Sequence, residues 1–443
     1  MADIGFDVLT SEISTVQTVQ RLGRVIKVAG GVIVVKGLSN VAASGDLVEI
    51  GQGGDTQVGE VLQMDKDTIT VLPDGGADGL CIGDPVAHIG NNEIAPHDTW
   101  IGRVIDPFGN ALDNRPIFRG PDSRPLRGAP IRPTERRSLG ERLETGLSVF
   151  NTLLPIVRGQ RVGLFAGSGV GKSTLLAQLA TGIRADVVVI AMIGERGREV
   201  REFVERVLGP EGMKRAVIVA ATSDQSPLVR RRCAWMAMSV AEHFRDNGRH
   251  VLFLADSVTR FAEAHREVAL ATGEAGSLRG YPPSTTHLIT SLCERAGPGK
   301  DAAGDITAVF SVLVAGSDMD EPIADILRGV LDGHVILDRK IAERGRFPSI
   351  DLLRSVSRAL PEAASAEENA ILSRARKLMG TYDRSEMMIQ AGLYARGSDA
   401  DVDEAIDCWP KLDTFLAERE LHSSKESFER LKNCIENAEL AVP

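Results

Sequence analysis

The stretch Ala166-Gly-Ser-Gly-Val-Gly-Lys-Ser173 decides the fold of this 443-residue chain. It follows the apolar run from Val162 to Phe165 and leads into Leu175 and Leu179, which are spaced as on one face of a helix. Its three glycines let the backbone curl so that successive N–H groups point at a phosphate. The stretch therefore predicts a P-loop at the turn from a buried strand into a helix, and with it a parallel α/β sheet.

The P-loop predicts the contacts of a bound nucleotide residue by residue. Lys172 would reach the terminal phosphates, and Ser173 would place its hydroxyl on Mg²⁺. The N-terminus of the following helix adds a favourable dipole. Ala166 stands where the strict motif has glycine. We expect ATP and Mg²⁺ as ligands, with the nucleotide held by Gly167, Ser168, Gly169, Val170, Gly171, Lys172, Ser173 and Thr174.

The segments on either side of the P-loop predict three domains and a terminal arm. Further apolar runs predict strands of a doubly wound parallel sheet at Val187 to Ile193, Ala216 to Ala220, Val251 to Leu254 and Thr307 to Val314. Short β-branched runs between Arg24 and Ile89 predict a β-barrel, and helical spacing dominates after about Leu360. The expected order is an arm at 1–20, a β-barrel domain at 21–92, a P-loop (RecA-like) domain with a leading connector at 93–359, and a C-terminal helical domain at 360–443.

Composition excludes several classes of function. The formal charge of −10 opposes binding to phosphate backbones, and no aromatic residue lies between Phe6 and Trp100 to stack bases on the barrel. No apolar run is long enough to span a membrane. The five scattered cysteines form neither a metal motif nor a disulfide framework. We therefore expect a cytoplasmic protein with no nucleic-acid partner and no integral membrane segment.

Two carboxylates follow predicted strands and suit nucleotide hydrolysis. Asp256 ends the apolar run His250-Val-Leu-Phe-Leu-Ala-Asp256, where it would hold the water shell of Mg²⁺ or cap the next helix. Glu195 follows the strand from Val187 to Ile193, where it would polarise the attacking water or form a solvated ion pair. The P-loop favours the catalytic alternative for both, because the carboxyl ends of parallel strands meet at one edge of a sheet.

Five motifs in order resemble the catalytic subunits of the rotary ATPase superfamily, and within it the type III export ATPases fit best. They are Ala166-Gly-Ser-Gly-Val-Gly-Lys-Ser-Thr174, Ile193-Gly-Glu-Arg-Gly-Arg-Glu199, Ala255-Asp-Ser-Val-Thr-Arg-Phe261, Gly280-Tyr-Pro-Pro-Ser284 and Pro348-Ser-Ile-Asp-Leu-Leu-Arg-Ser-Val-Ser-Arg358. The similarity covers residues from about 20 to about 420. Gly273-Glu-Ala-Gly departs from the Gly-Glu-Pro-Pro pattern that is usual in this family.

The resemblance implies roles for four further residues. Arg196 and Arg260 would lie near the γ-phosphate or brace Glu195, with structural ion pairs as the alternative. Arg358 would reach the site of the neighbouring subunit as an arginine finger, which implies a ring. Where related subunits stack adenine on a tyrosine, this chain has no aromatic in Ser365-Ala-Glu-Glu-Asn-Ala, and Phe415 is the substitute that we expect.

The resemblance also implies a machine and its partners. We expect a homo-hexamer, peripheral at the cytoplasmic face of a flagellar export apparatus, where ATP hydrolysis serves export substrates and their chaperones at the export gate. A stator-like regulatory protein would bind the N-terminal arm, and a coiled-coil stalk protein would enter the ring. The alternatives are an injectisome export ATPase, a non-catalytic nucleotide-binding subunit of a rotary ATPase and a ring-shaped RNA translocase. The pairing of Lys172 with Glu195 argues against the non-catalytic subunit, and the lack of aromatics in the barrel argues against the translocase.

Overall fold

The computed structural model describes Ile13 and residues 19–51, 56–90, 92–314, 319–420 and 423–436. The proposed N-terminal arm lies almost entirely outside the described residues. The chain divides into two compact units. The first unit comprises residues 1–132, 187–247 and 255–295, and the second comprises residues 133–186, 248–254 and 296–443.

A closed six-stranded barrel forms the N-terminal part of the first unit. Its strands are β1 (Leu22–Ala29), β2 (Val32–Lys36), β3 (Leu47–Ile50), β4 (Gln57–Met64), β5 (Thr68–Pro73) and β6 (Pro85–Gly90), in the hydrogen-bonded order β1-β2-β5-β4-β3-β6. Every pairing is antiparallel, as in Val34 with Thr70 and Val48 with Gly59. Alternate residues such as Ile33, Val35 and Val71 are fully buried inside the barrel. Because the barrel is closed, its sheet has no exposed edge strand.

The first unit also contains three strands of parallel sheet. Its strands β8 (Arg103–Ile105), β11 (Val187–Glu195) and β12 (Ala216–Thr222) follow the order β11-β12-β8, and all three run parallel. All nine residues of β11 are buried, as a strand covered on both faces requires. β8 comes from the segment predicted as a connector. A separate pair joins β7 (Glu93–Ile94) to β9 (Arg124–Pro125).

The second unit contains a further set of sheet strands. It contains β10 (Arg161–Ala166), β13 (Val251–Asp256), β15 (Asp305–Leu313), β16 (Gly333–Leu337) and β17 (Ile350–Ser357) in the order β17-β16-β10-β15-β13, with β14 (Gly297–Pro298) paired to β15. The last two residues of β13 belong to the first unit. β10 runs parallel to β15 and β16, whereas β17 is an antiparallel edge strand.

Helices follow the strands and then dominate the C-terminal part. In chain order they are α1 (Ser148–Asn151), α2 (Lys172–Gly182), α3 (Gly197–Glu202), α4 (Gly209–Met213), α5 (Pro227–Asp246), α6 (Val258–Ala271), α7 (Ser284–Glu294), α8 (Pro322–Val330), α9 (Arg339–Glu343), α10 (Ala366–Gln390), α11 (Ala400–Phe415) and α12 (Ser424–Glu436). A π-helical turn spans Phe203–Leu208, and 3₁₀ turns span Asp98–Trp100 and Leu278–Gly280.

The predicted fold class is confirmed: an N-terminal β-barrel, a central parallel-sheet P-loop domain and C-terminal helices. All five cysteines are free thiols: Cys233, Cys293 and Cys408 are buried, Cys434 is partly exposed and Cys81 is exposed. Within the described ranges, none of the helices combines the length and the apolar character needed to cross a membrane. The exact domain boundaries proposed from the sequence remain predictions.

Candidate functional site

The P-loop occupies the turn between β10 and α2, as predicted. Gly169 and Gly171 have φ values of +76° and +90°, a left-handed conformation that glycine adopts without strain. A Cβ added at Gly169 would meet no atom within 4 Å, so the loop is open on that side. No side chain caps the N-terminus of α2, where Lys172 is the first residue. The backbone of this turn is therefore arranged to receive an anion.

A serine distant in sequence fixes the back of the P-loop. Ser349 is fully buried, and its Oγ donates a hydrogen bond to the carbonyl oxygen of Val170 at 2.7 Å. Val170 is itself only 2% exposed. Because Val170 lies between the two left-handed glycines, this hydrogen bond holds the curled section of the loop in place. Ser349 belongs to the motif that begins at Pro348, but the sequence alone predicted no role for it.

An exposed aromatic ring lies against the same loop. Phe347 is 50% exposed, and a Cβ added at Gly171 would lie 3.2 Å from Cδ1 of its ring. The buried Arg346 side chain donates to the carbonyl oxygen of Ile350 at 2.8 Å and forms an ion pair of 3.0 Å with Asp413 on α11. These two contacts of Arg346 hold the turn that carries Phe347. The exposed ring of Phe347 offers a face on which a base can stack.

Phe415 does not offer such a face. Its side chain is fully buried near the end of α11, in the core of the C-terminal helices. A ring that stacks on a bound base must present a free surface. The prediction that Phe415 contacts adenine is therefore corrected, and Phe347 replaces it as the aromatic candidate.

Arg358 lies just after the edge strand β17 and is exposed. Its backbone N–H donates to the carbonyl of Asp332 at 3.0 Å, and its Nη2 donates to the carbonyl of Arg328 at 3.0 Å. Neither acceptor is a carboxylate. The guanidinium therefore keeps an accessible positive charge at the edge of the second unit, as a residue that acts on another chain requires.

In the first unit, Glu195 is the last residue of β11 and Asp256 is the last residue of β13. Both are buried, with 8% and 6% of their surface exposed. The carbonyl of Glu195 accepts a hydrogen bond from the N–H of Ser223 at 3.0 Å. Because so little of Glu195 is exposed to water, its burial argues against the solvated ion pair considered for it.

The two arginines expected near these carboxylates differ. Arg260 belongs to the first turn of α6, and its side-chain Nε is buried with no hydrogen-bond partner within the described ranges. Its Cδ would lie 3.3 Å from a Cβ on Gly194, directly before Glu195. Arg196 is 74% exposed and pairs with Glu199 at 3.4 Å. Arg260 thus has an unused donor, whereas Arg196 forms the surface ion pair that was its structural alternative.

These features fit a nucleotide with a bound Mg²⁺. The open P-loop backbone and the orphaned Nε of Arg260 both suit a phosphate group. Nowhere in the described part of the chain do three or more His, Cys, Asp or Glu side chains form a cluster that could hold a metal. Mg²⁺ usually binds through one or two protein oxygens together with substrate phosphates, so such a cluster is not required.

The structure places the predicted residues in two groups. Lys172, Ser173 and the P-loop glycines lie in the second unit with Arg358, whereas Glu195, Asp256 and Arg260 lie in the first. The residues that the sequence missed, Ser349 and Phe347, belong to the P-loop group. An aromatic residue directly before the Pro348 motif is the only sequence signal that pointed to either of them.

Comparison with known proteins identifies the family. Residues 146–357 match the model of the ATP synthase alpha/beta family, nucleotide-binding domain, and residues 364–433 match that of the T3SS EscN ATPase C-terminal domain. The flagellum-specific ATP synthase of Caulobacter vibrioides is 43% identical over 425 residues, which cover 94% of this chain and 96% of that protein.

Solved structures agree. The assembled ATPase EscN from the enteropathogenic E. coli type III secretion system matches with a TM-score of 0.87 and 35% identity, over 93% of this chain and 100% of that one. The same ATPase in complex with its central stalk EscO matches with a TM-score of 0.84, also at 35% identity and with the same coverage of 93% and 100%. The buried carboxylates, the P-loop and these matches along the chain lead to one conclusion: it belongs to the family of the flagellum-specific ATP synthases.

Proposed function

We propose that this chain hydrolyses ATP and that a ring of its copies energises protein export through a flagellar type III secretion apparatus. It is a type III export ATPase, and the flagellar relatives favour the flagellar machine over the injectisome. The observation that carries the proposal is the P-loop at the uncapped N-terminus of α2, with Lys172 as its first residue.

Each proposed catalytic residue has a physical task. Lys172 would neutralise the terminal phosphates, and Glu195 would orient the attacking water and take up its proton. Arg260 would donate to the γ-phosphate through a guanidinium whose Nε has no other partner within the described ranges. Phe347 would stack on the base. Arg196 keeps the role proposed from the resemblance, bracing Glu195 or approaching the γ-phosphate, although it now pairs with Glu199.

Ser173 and Asp256 would hold the metal ion, Ser173 through its hydroxyl and Asp256 through water. When bound, Mg²⁺ offsets the negative charge of the phosphates and favours departure of the leaving oxygen. Ser173 is exposed beside Lys172, and Asp256 is buried at the end of β13. These positions give one accessible hydroxyl and one fixed carboxylate.

We propose a homo-hexamer in which Arg358 completes the site of the neighbouring copy. Its exposure at the edge of the second unit supports this role. The related EscN is described as an assembled ATPase and as a complex with a central stalk, which supports a ring and a stalk partner here. We further propose a cytoplasmic location at the base of the export apparatus, contacts with the export gate, substrates and chaperones, and a regulatory partner for residues 1–20.

Hydrolysis and complementation test the proposal. The purified chain should hydrolyse Mg-ATP, and Lys172→Ala and Glu195→Gln proteins with unchanged melting temperatures should lose nearly all turnover. Expression in Caulobacter vibrioides lacking its flagellum-specific ATP synthase should restore motility with the unaltered chain and not with Lys172→Ala. Full turnover in either variant would overturn the catalytic assignment. Hydrolysis without restored motility or flagellin export would overturn the flagellar role.

A further inference from the structure

A buried ion pair ties the β-barrel to α5 within the first unit. Glu60 on β4 is 4% exposed and accepts hydrogen bonds at 2.8 Å on both carboxylate oxygens from Nη2 of Arg231. Arg127 donates to the same carboxylate at 2.7 Å. The guanidinium carbons of Arg127 and Arg231 lie 4.1 Å and 5.1 Å from the centre of the Trp235 ring. One carboxylate and one aromatic face therefore hold two cations.

His265 on α6 extends this cluster towards α7. Its Nδ1 lies 3.5 Å from Nη1 of Arg231, and its Nε2 lies 2.8 Å from Oγ of Ser284. Ser284 is the first residue of α7, and its Oγ and N–H both donate to Glu274, at 2.7 Å and 3.0 Å. This series of hydrogen bonds connects the barrel, the three helices α5, α6 and α7, and the loop that contains Glu274.

The groups at the two ends, the guanidinium of Arg231 and the carboxylate of Glu274, determine which way each hydrogen bond between them is donated. An arginine can only donate and a carboxylate can only accept, so Nδ1 of His265 accepts while its Nε2–H donates to Ser284. The imidazole must be neutral for this. Burial, followed by the charge of Arg231, lowers the pKa of His265 to about 4, and hydrogen bonds from Ser284 lower the pKa of Glu274. Glu274, Arg127 and Glu60 are the other charged groups that act on the pKa of His265.

Arg260 stands on the same helix, one and a half turns before His265. Its aliphatic stem packs on Gly194, and its Nε has no hydrogen-bond partner within the described ranges. The place of the guanidinium therefore depends on how α6 is held. His265 is buried on α6, and its two ring nitrogens face α5 and α7.

We propose that His265 is a positioning residue that fixes α6, and with it Arg260, between the barrel cluster and the start of α7. The inference rests on the proposed function, because its effect is measured as a change in binding of the terminal phosphate of ATP. ATP and ADP share every group except that phosphate. A displaced Arg260 weakens binding of a triphosphate and leaves binding of ADP unchanged, whereas general damage to the fold weakens both.

Calorimetric titration of the full-length chain with ADP and with a non-hydrolysable ATP analogue, both with Mg²⁺, tests this. His265→Leu should reduce the preference for the triphosphate about tenfold, the factor that corresponds to one charged hydrogen bond. His265→Gln should restore most of the preference, because its amide can accept from Arg231 and donate to Ser284. Ser284→Ala should show a similar loss of the preference for the triphosphate while leaving His265 unaltered. It therefore tests the same contact if the leucine variant does not fold.

Two further variants show whether a negative result counts against the role of His265 or against the contact of Arg260 with the terminal phosphate. His243→Leu alters another buried histidine of the first unit, which contacts Asn247; it should lower the melting temperature without changing the preference. Arg260→Ala should lose the preference outright. If Arg260→Ala loses it while His265→Leu and Ser284→Ala retain it, His265 is not a positioning residue. If Arg260→Ala retains it, Arg260 does not contact the terminal phosphate and the proposal is overturned, while the hydrolysis assay on Lys172 separately decides the ATPase function.

Discussion

Replacement of Ser349 by alanine provides a sharp test of how the P-loop is held. The hydroxyl donates to the Val170 carbonyl at 2.7 Å, and both residues are buried. Loss of the hydroxyl leaves a buried acceptor without its donor, which costs about 1–3 kcal/mol. The P-loop is exposed at Ser168 and Gly169, so the freed section can shift until the carbonyl reaches water. The folded chain then recovers stability but loses the curled loop.

The cost should therefore appear mainly when a nucleotide binds, because binding must restore the curled loop. A penalty of about 1–3 kcal/mol corresponds to a loss of affinity of roughly five- to 150-fold. Binding of both ADP and ATP should weaken, since the curled section of the P-loop would contact phosphates that both possess. Calorimetric titration with each nucleotide, combined with thermal unfolding, measures the two contributions separately.

Ser355 provides the matched control for this prediction. It is equally buried in the same unit, and its Oγ accepts from the N–H of Ile336 at 3.0 Å, away from the P-loop. Ser355→Ala should lower the melting temperature and leave nucleotide affinity unchanged. The reasoning is refuted if Ser349→Ala binds ADP as tightly as the unaltered chain, or if both alanine variants weaken binding equally.

Three further predictions concern the base, the neighbouring subunit and pH. Phe347→Ala should weaken ATP binding about tenfold while Phe347→Trp retains it, because base stacking contributes about 1–3 kcal/mol; equal affinities measured by titration would exclude the stacking role. Mixing Lys172→Ala with Arg358→Ala subunits should restore part of the turnover that each variant lacks, and no recovery in rings shown to be mixed would exclude action in trans. The unfolded chain takes up a proton on His265 near its ordinary pKa of 6.5, but the folded chain does so only near 4. The unfolding free energy in urea should therefore fall between pH 6.5 and 5, and less steeply in His265→Gln; equal slopes would contradict the lowered pKa.

The parts predicted correctly from sequence are those whose determinants lie close together along the chain. The P-loop needs only a strand, three glycines and a helix start within a short stretch, and the strand runs are continuous because both faces are buried. The short β-branched runs between Arg24 and Ile89 predicted the barrel. They did not show that strand β6 closes it by pairing with both β1 and β3.

The parts that were missed depend on contacts between distant residues. The hydrogen bond from Ser349 to Val170 spans 179 positions, and no local pattern distinguishes this serine from others in its motif. Strand β8 has only three residues and becomes a strand by pairing with β12. Phe415 was chosen because it is an aromatic residue in the expected region, but helix packing determines whether a ring is buried. Sequence identified the chemical groups, whereas tertiary contacts determined which of them are accessible.

The two ends of the chain hold different parts of the nucleotide machinery. At the N-terminal end, the barrel residue Glu60 binds Arg231, whose contact with His265 reaches the helix that carries Arg260. At the C-terminal end, Asp413 on α11 pairs with Arg346, which pins the turn containing Phe347 and Ser349. With the role proposed for Arg260, a movement of the barrel would act on recognition of the terminal phosphate, which only ATP possesses. With the roles proposed for the P-loop and Phe347, a movement of the C-terminal helices would act on binding of the groups that ADP and ATP share. We therefore propose that a partner bound at the barrel tunes the step that consumes ATP, and that one bound at the C-terminal helices tunes release of either nucleotide.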